Sequence, residues 1–258
     1  MILIVLRRIY HFKIMKKIIT AALISSLVLF TTNILAEGFN DNYLEIGYST
    51  SDYKFTDTLT KVSGSAEFGD DFYLNGEYSY EKGDWNDPGE KETSTVNRVT
   101  FEIGKSFELT EKTNFTSAFS YQDYENKQVC TKTNGTDCTS SYSDGGTSTL
   151  KYSNISIGVK NLISQNTEVH LENTWSRVKL TSSDTHYYTP SIKIRNITET
   201  GIESSLKYST YKTSNTRSSQ LEIGILKHMN DTFAIGANFI SNKKADWTET
   251  GVFVRRSF

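Results

Sequence analysis

An acid placed two residues before an imidazole can orient the ring while it activates water, and Asp184-Thr185-His186 has that spacing. A second carboxylate pair to complete such a site is missing, because Asp84 and Asp87 are spaced differently. His170-Leu171-Glu172 joins an imidazole and a carboxylate without a serine nucleophile nearby. Cys130 and Cys138 are separated by seven polar residues, a spacing that closes a small disulfide loop in an oxidising compartment. No group of residues has metal-ligand spacing, no phosphate-cradling glycine loop follows a strand, and no cofactor is expected. The remaining chemistry-bearing residues are charges recurring at alternate positions.

Those positions belong to segments of period two, the signature of strands with unlike faces. Leu44, Ile46 and Tyr48 alternate with Glu45 and Gly47. Val99, Phe101 and Ile103 oppose Arg98 and Glu102; Leu221, Ile223 and Ile225 oppose Glu222. About twelve such segments start near Asn42, Leu59, Phe72, Thr95, Phe115, Thr149, Glu168, Tyr188, Ile202, Gln220, Thr232 and Trp247. Ten strands are the alternative, because the segments at Tyr188 and Ile202 alternate less cleanly. Short connections, such as Gly69-Asp70-Asp71 and Asn230-Asp231, take turns with longer ones, such as Thr50 to Thr58, Gly83 to Ser94 and Glu125 to Ser148. Twelve strands of about ten residues would use about 120 residues, leaving roughly nine per connection. The fold class is therefore all-β, an antiparallel up-and-down transmembrane barrel. If apolar faces meet lipid, the lumen receives Lys61, Arg98, Lys151, Lys193, Arg195 and Lys207. It also receives Glu45, Glu67, Glu77, Glu102, Glu172, Glu203 and Glu222, with His170 and His228.

Composition narrows the function classes. The 258 residues hold 28 basic and 30 acidic side chains and only 2 cysteines, excluding a disulfide scaffold and a four-cysteine zinc site. A mean hydropathy of -0.46 excludes a bundle of membrane-spanning helices. A formal charge of -2 argues against a nucleic-acid partner. Aromatic residues reach 12% and gather near strand ends, as in Tyr187 and Tyr188, which suits the interfacial girdles of a membrane barrel. Residues 1–36 contain Arg7, Arg8, Lys13, Lys16 and Lys17 and no acid; without them the charge is -7. Lys16-Lys17, the apolar run Ile18 to Phe30 and a small residue at Ala36 have the order of a secretory signal. Met15 reads as a more natural start than Met1, which would leave residues 1–14 outside the translated chain. Residues 37–258 are expected to form one domain.

The last segment, Gly251 to Phe258, alternates and ends in Phe258. Together with the export signal this resembles the assembly signal of Gram-negative outer-membrane β-barrels, although Arg256 replaces the usual apolar residue two positions before the end. That resemblance implies outer-membrane lipid and the barrel assembly machinery as partners. Twelve strands resemble the monomeric oligosaccharide porins, whose pores are lined mainly by Arg and Lys, whereas this lumen is mixed and slightly acidic. The expected function is a passive, weakly selective small-solute channel. The alternative is a non-conducting surface barrel that makes contacts through outer loops such as Glu125 to Ser148. An enzyme is the third reading. Asp184 and His186 are similar to one half of an omptin protease site, and the lipid-cleaving barrels would need a serine near His170.

Overall fold

The computed structural model describes residues 41–53, 56–69, 71–87, 90–132, 147–179, 184–213 and 216–258. The expected signal segment, residues 1–36, lies outside them. So does Cys138, and with it the expected pairing with Cys130.

Twelve strands are present: β1 (Tyr43–Tyr53), β2 (Thr56–Phe68), β3 (Phe72–Asp87), β4 (Glu90–Thr110), β5 (Thr113–Lys132) and β6 (Thr147–Ser164), then β7 (Thr167–Lys179), β8 (Asp184–Ile197), β9 (Ile202–Lys212), β10 (Arg217–His228), β11 (Phe233–Asn242) and β12 (Trp247–Ser257). Each pairs antiparallel with its sequence neighbours, and β1 closes on β12, with Tyr43 opposite Ser257 and Ser51 opposite Glu249. Closure removes the strand edges along the barrel body, while residues 83–87 of β3 and 147–150 of β6 pair on one side only. The architecture is the closed up-and-down barrel expected, with twelve strands and not ten.

Burial is inverted relative to a protein dissolved in water. Val99, Phe101, Ile155, Leu171 and Val252 are each more than half exposed, while Ser79, Ser120, Glu168 and Arg195 are buried. Along β6, Ile155 is 58% exposed and the adjacent Ser156 is 7%. Period-two side-chain geometry sends one set outward and the other inward. A continuous outward apolar belt of this kind needs an apolar surrounding. Cross-strand aromatic pairs mark both margins of the belt. Phe68 stacks on Phe72 at 6.0 Å and Phe107 meets Phe115 at 6.1 Å towards the short turns; Trp175 meets Tyr188 at 5.8 Å towards the other end. Lys105 lays its ammonium 4.6 Å from the Phe72 ring centre, the posture of a lysine anchored at an interface.

The connections at one end are short, as expected: from Phe68 to Phe72, and residues 111–112, 165–166, 198–201 and 229–232. Gly69 and Gly201 adopt positive φ there, which a side chain would resist. At the other end the structure differs from expectation. Much of Gly83 to Ser94 and part of Glu125 to Ser148 are strand, so β3 to β6 have 16, 21, 20 and 18 residues against 10 to 14 for β7 to β12. Past the belt both faces meet water, hydrophobic alternation stops, and backbone pairing continues without that signal. The barrel wall is therefore tallest from β3 to β6.

Candidate functional site: the charged lumen

Among the described residues, inward positions of the strands line three cavities that share residues along the barrel axis. The one nearest the loop end, about 430 Å³, is lined by Glu81, Arg98, Tyr124, Tyr211, Trp247 and Glu249 among others. The middle one, about 390 Å³, includes Glu45, Lys61, Glu77, Glu102, Lys193, Glu222 and Arg255. The one at the turn end, about 270 Å³, includes Asp41, Lys160, Glu168, His170, Glu172 and Arg195. Leu59 and Glu249 line both the first and the second; Asp41, Asn75, Glu102 and Lys193 line both the second and the third.

Most inward cations are neutralised where they stand. Arg98 meets Glu81 at 2.7 Å and lies 5.7 Å from the Tyr124 ring centre. Arg255 meets Glu45 at 2.8 Å, with its guanidinium 4.3 Å from the Tyr43 ring centre. Lys61 and Glu77 approach to 3.8 Å. The densest cluster is at the turn end. Arg195 on β8 reaches Asp41 at 2.9 Å, Glu203 at 3.0 Å and Glu168 at 3.5 Å. Lys160 on β6 meets the same Asp41 at 2.8 Å and Glu168 at 3.0 Å, and His228 lies 3.5 Å from Glu203. Asp41 precedes β1, yet its partners stand on β6 and β8, five strands away in either direction round the barrel. The chain leading into β1 is thus tied across the turn-end opening. Burial alone would raise the Asp41 carboxyl, but Arg195 and Lys160 outweigh it and hold that group well below the usual carboxylate range.

Uncompensated charge remains after this pairing. Among the described residues, Glu67, Glu102, Glu172, Glu222 and Glu249 line the cavities without an ion pair, as does Lys193; Lys207, on the inward parity of Glu203 and Ser209, has none either. Glu102 accepts a hydrogen bond from Asn75 at 2.8 Å, and Glu249 accepts one from Ser49 at 2.8 Å. Glu222 and Lys207 stand opposite each other in register, as do Lys193 and Lys207, so these three form one row across β8, β9 and β10.

Small residues shape the lumen as well. Gly104 faces Tyr73 across β3 and β4, and Gly236 faces Phe253 across β11 and β12. A Cβ at Gly104 would sit 2.2 Å from Tyr73 Cζ, and one at Gly236 would sit 2.3 Å from Phe253 Cζ. Each ring occupies the space that a side chain on its glycine would fill.

Of the expected lumen residues, Glu45, Lys61, Glu67, Glu77, Arg98, Glu102, His170, Glu172, Lys193, Arg195, Glu203, Lys207, Glu222 and His228 do face inward. Lys151 does not. It shares the outward parity of Ile155, Ile157 and Val159 and is exposed on the outer face above the belt, where that face turns polar. Inward residues that were overlooked are Asp41, Glu81, Lys160, Glu168, Glu249 and Arg255. Parity along each strand could have found five of them, whereas nothing in the sequence marks Asp41. The Asp184–His186 pair is not assembled as a dyad. Asp184 is held by Arg177 at 2.5 Å, and His186 is exposed on the outer face opposite Arg177. Phe258 directly follows β12.

No protein-family model and no curated protein sequence matches the chain. Solved structures do. The KdgM porin superimposes with a TM-score of 0.61 at 10% identity, covering 84% of this chain and 99% of that one. The NanC porin gives 0.55 at 11% identity, over 83% and 98%. The translocator domain of the autotransporter NalP from Neisseria meningitidis gives 0.53 at 9% identity, over 96% of each chain. The chain has the fold of a porin-like β-barrel.

Proposed function

We propose that the chain is a passive outer-membrane channel for small hydrophilic solutes, with a preference for cations. The observation that carries this reading is the residual charge along three cavities that share lining residues: among the described residues, five inward carboxylates without an ion pair stand against the lysines at 193 and 207. Fixed charges of one sign inside low-dielectric walls concentrate counter-ions and favour their passage. The KdgM and NanC porins and the CymD monoaromatic hydrocarbon channel share the fold, which supports a channel without supplying a solute. Acidic solutes fit this lumen poorly, because Arg98, Arg195 and Arg255 are already engaged by carboxylates. In this reading residues 1–36 direct export, the barrel assembly machinery inserts the strands, and the turns face the periplasm.

Single-channel recording across a planar bilayer under a tenfold KCl gradient tests the proposal. Discrete steps with a reversal potential of cation-preferring sign are expected. A folded but silent barrel overturns it. That outcome would favour a second reading, a surface-contact barrel, which the tall wall of β3 to β6 makes specific.

A further inference from the structure

At the loop end, the outer face of β6 to β10 carries Lys151, Arg177, Lys179, Lys212 and Arg217, all exposed. Register sets like charges directly opposite one another at two places. Lys151 faces Lys179 across β6 and β7, and Lys212 faces Arg217 across β9 and β10. Opposed like charges destabilise a sheet. None of these four makes an ion pair with a described residue, and Asp184 is engaged by Arg177. Acids bound the first pair, with Asp123 opposite Lys151 across β5 and β6 and Asp184 opposite Lys179 across β7 and β8, whereas none stands in register with Lys212 or Arg217. Elsewhere on the same rim acids and bases alternate: Asp52, Asp84 and Glu125 stand among Lys82 and Lys127. The basic crescent is therefore confined to one side of the barrel. Directly below it lie Ile155, Leu171, Trp175, Leu206 and Tyr208, all exposed. A soluble anion would answer the charge but not the apolar surface beneath it. A lipid with an anionic headgroup answers both.

We propose that this crescent docks a lipid whose headgroup carries phosphate, with phosphates seated between Lys151 and Lys179 and between Lys212 and Arg217. The acyl chains then run down the surface of Ile155, Trp175 and Leu206. The proposal rests on the outer-membrane reading and adds to it a specific lipid surface in the leaflet facing the loops.

The test uses the full chain, exported and purified in detergent, with bis-phosphorylated lipid A and the same lipid stripped of phosphate as probes. Native mass spectrometry should show at least tenfold tighter retention of the phosphorylated form. The variant carrying Lys151→Gln, Lys179→Gln, Lys212→Gln and Arg217→Gln should lose that difference while keeping heat-shifted gel mobility. Lys151→Glu alone should weaken lipid retention. Equal retention of the two lipids by the wild type overturns the proposal. So does an unchanged preference in the fourfold variant or, should that variant not fold, in Lys151→Glu. A wild type that discriminates between the lipids but conducts no current refutes the channel reading alone; one that conducts without discriminating refutes this proposal alone.

Discussion

Arg195 is the residue whose loss should disturb the barrel most. Its guanidinium is buried and meets three carboxylates, on Asp41, Glu168 and Glu203. In Arg195→Gln, Lys160 still serves Asp41 and Glu168, whereas Glu203 keeps His228 at 3.5 Å and the more distant charge of Arg255. Removing one partner of a buried pair costs about 3–5 kcal/mol, because the remaining charge stays out of water without compensation. Here Lys160 softens the loss for two of the three acids, so the lower end, about 3 kcal/mol, is expected. Arg195→Gln combined with Glu203→Gln removes the stranded charge and should recover about 1 kcal/mol or more, a non-additive result. Arg195→Lys should fall between, because an ammonium cannot present the guanidinium's separate Nε and Nη donors to different acids. Urea unfolding in lipid vesicles, followed by tryptophan fluorescence, gives the free energies. An Arg195→Gln variant within about 0.5 kcal/mol of wild type, or a double variant that equals the sum of the singles, refutes the account of this cluster.

Asp41 gives a pH prediction. A carboxyl held below its unfolded value contributes stability that is complete above about pH 4 and is lost as the pH falls from there towards the folded value. The urea midpoint should drop on acidification below about pH 4, and Asp41→Asn should make that drop shallower; parallel curves for the two proteins would contradict the Arg195 and Lys160 contacts as its cause. Glu222→Lys turns one unpaired inward acid into a base beside Lys207. The cation-to-anion permeability ratio should fall by about twofold or more, and an unmoved reversal potential would place the selectivity elsewhere. Gly236→Ala forces the Phe253 ring off its seat and should cost about 1–3 kcal/mol with lower conductance. Adding Phe253→Leu should restore only part of both, because the Ile225 carbonyl oxygen also lies 2.8 Å from the added Cβ, and a neutral Gly236→Ala would show that ring and strand both yield.

The legible part of this molecule is the part that lipid disciplines. Within the belt an outward residue has to be apolar, so Ile155, Ile157 and Val159 expose their parity in the sequence, and the inward parity of Lys193, Arg195 and Glu222 follows by exclusion. Lys151 shows where this logic ends. It keeps the outward parity of Ile155 but lies above the belt, where a charge is as acceptable outside as inside, so residue type no longer reports direction. The same loss of contrast hid the ends of β3, β4 and β5, which were expected as loops although their backbones stay paired from Asp84 with Thr93 to Thr95 with Lys127. Charge pairing lies one level deeper. Glu168 and Glu203 reach Arg195 from the two strands flanking β8, and this could be inferred once register is known; Asp41 reaches it across the opening, and that contact is set by closure of the barrel alone. By composition Arg195 looks like a lumen cation available to an acidic solute. In the folded barrel three carboxylates surround it, and the sign of the lumen passes to the residues that pairing leaves over.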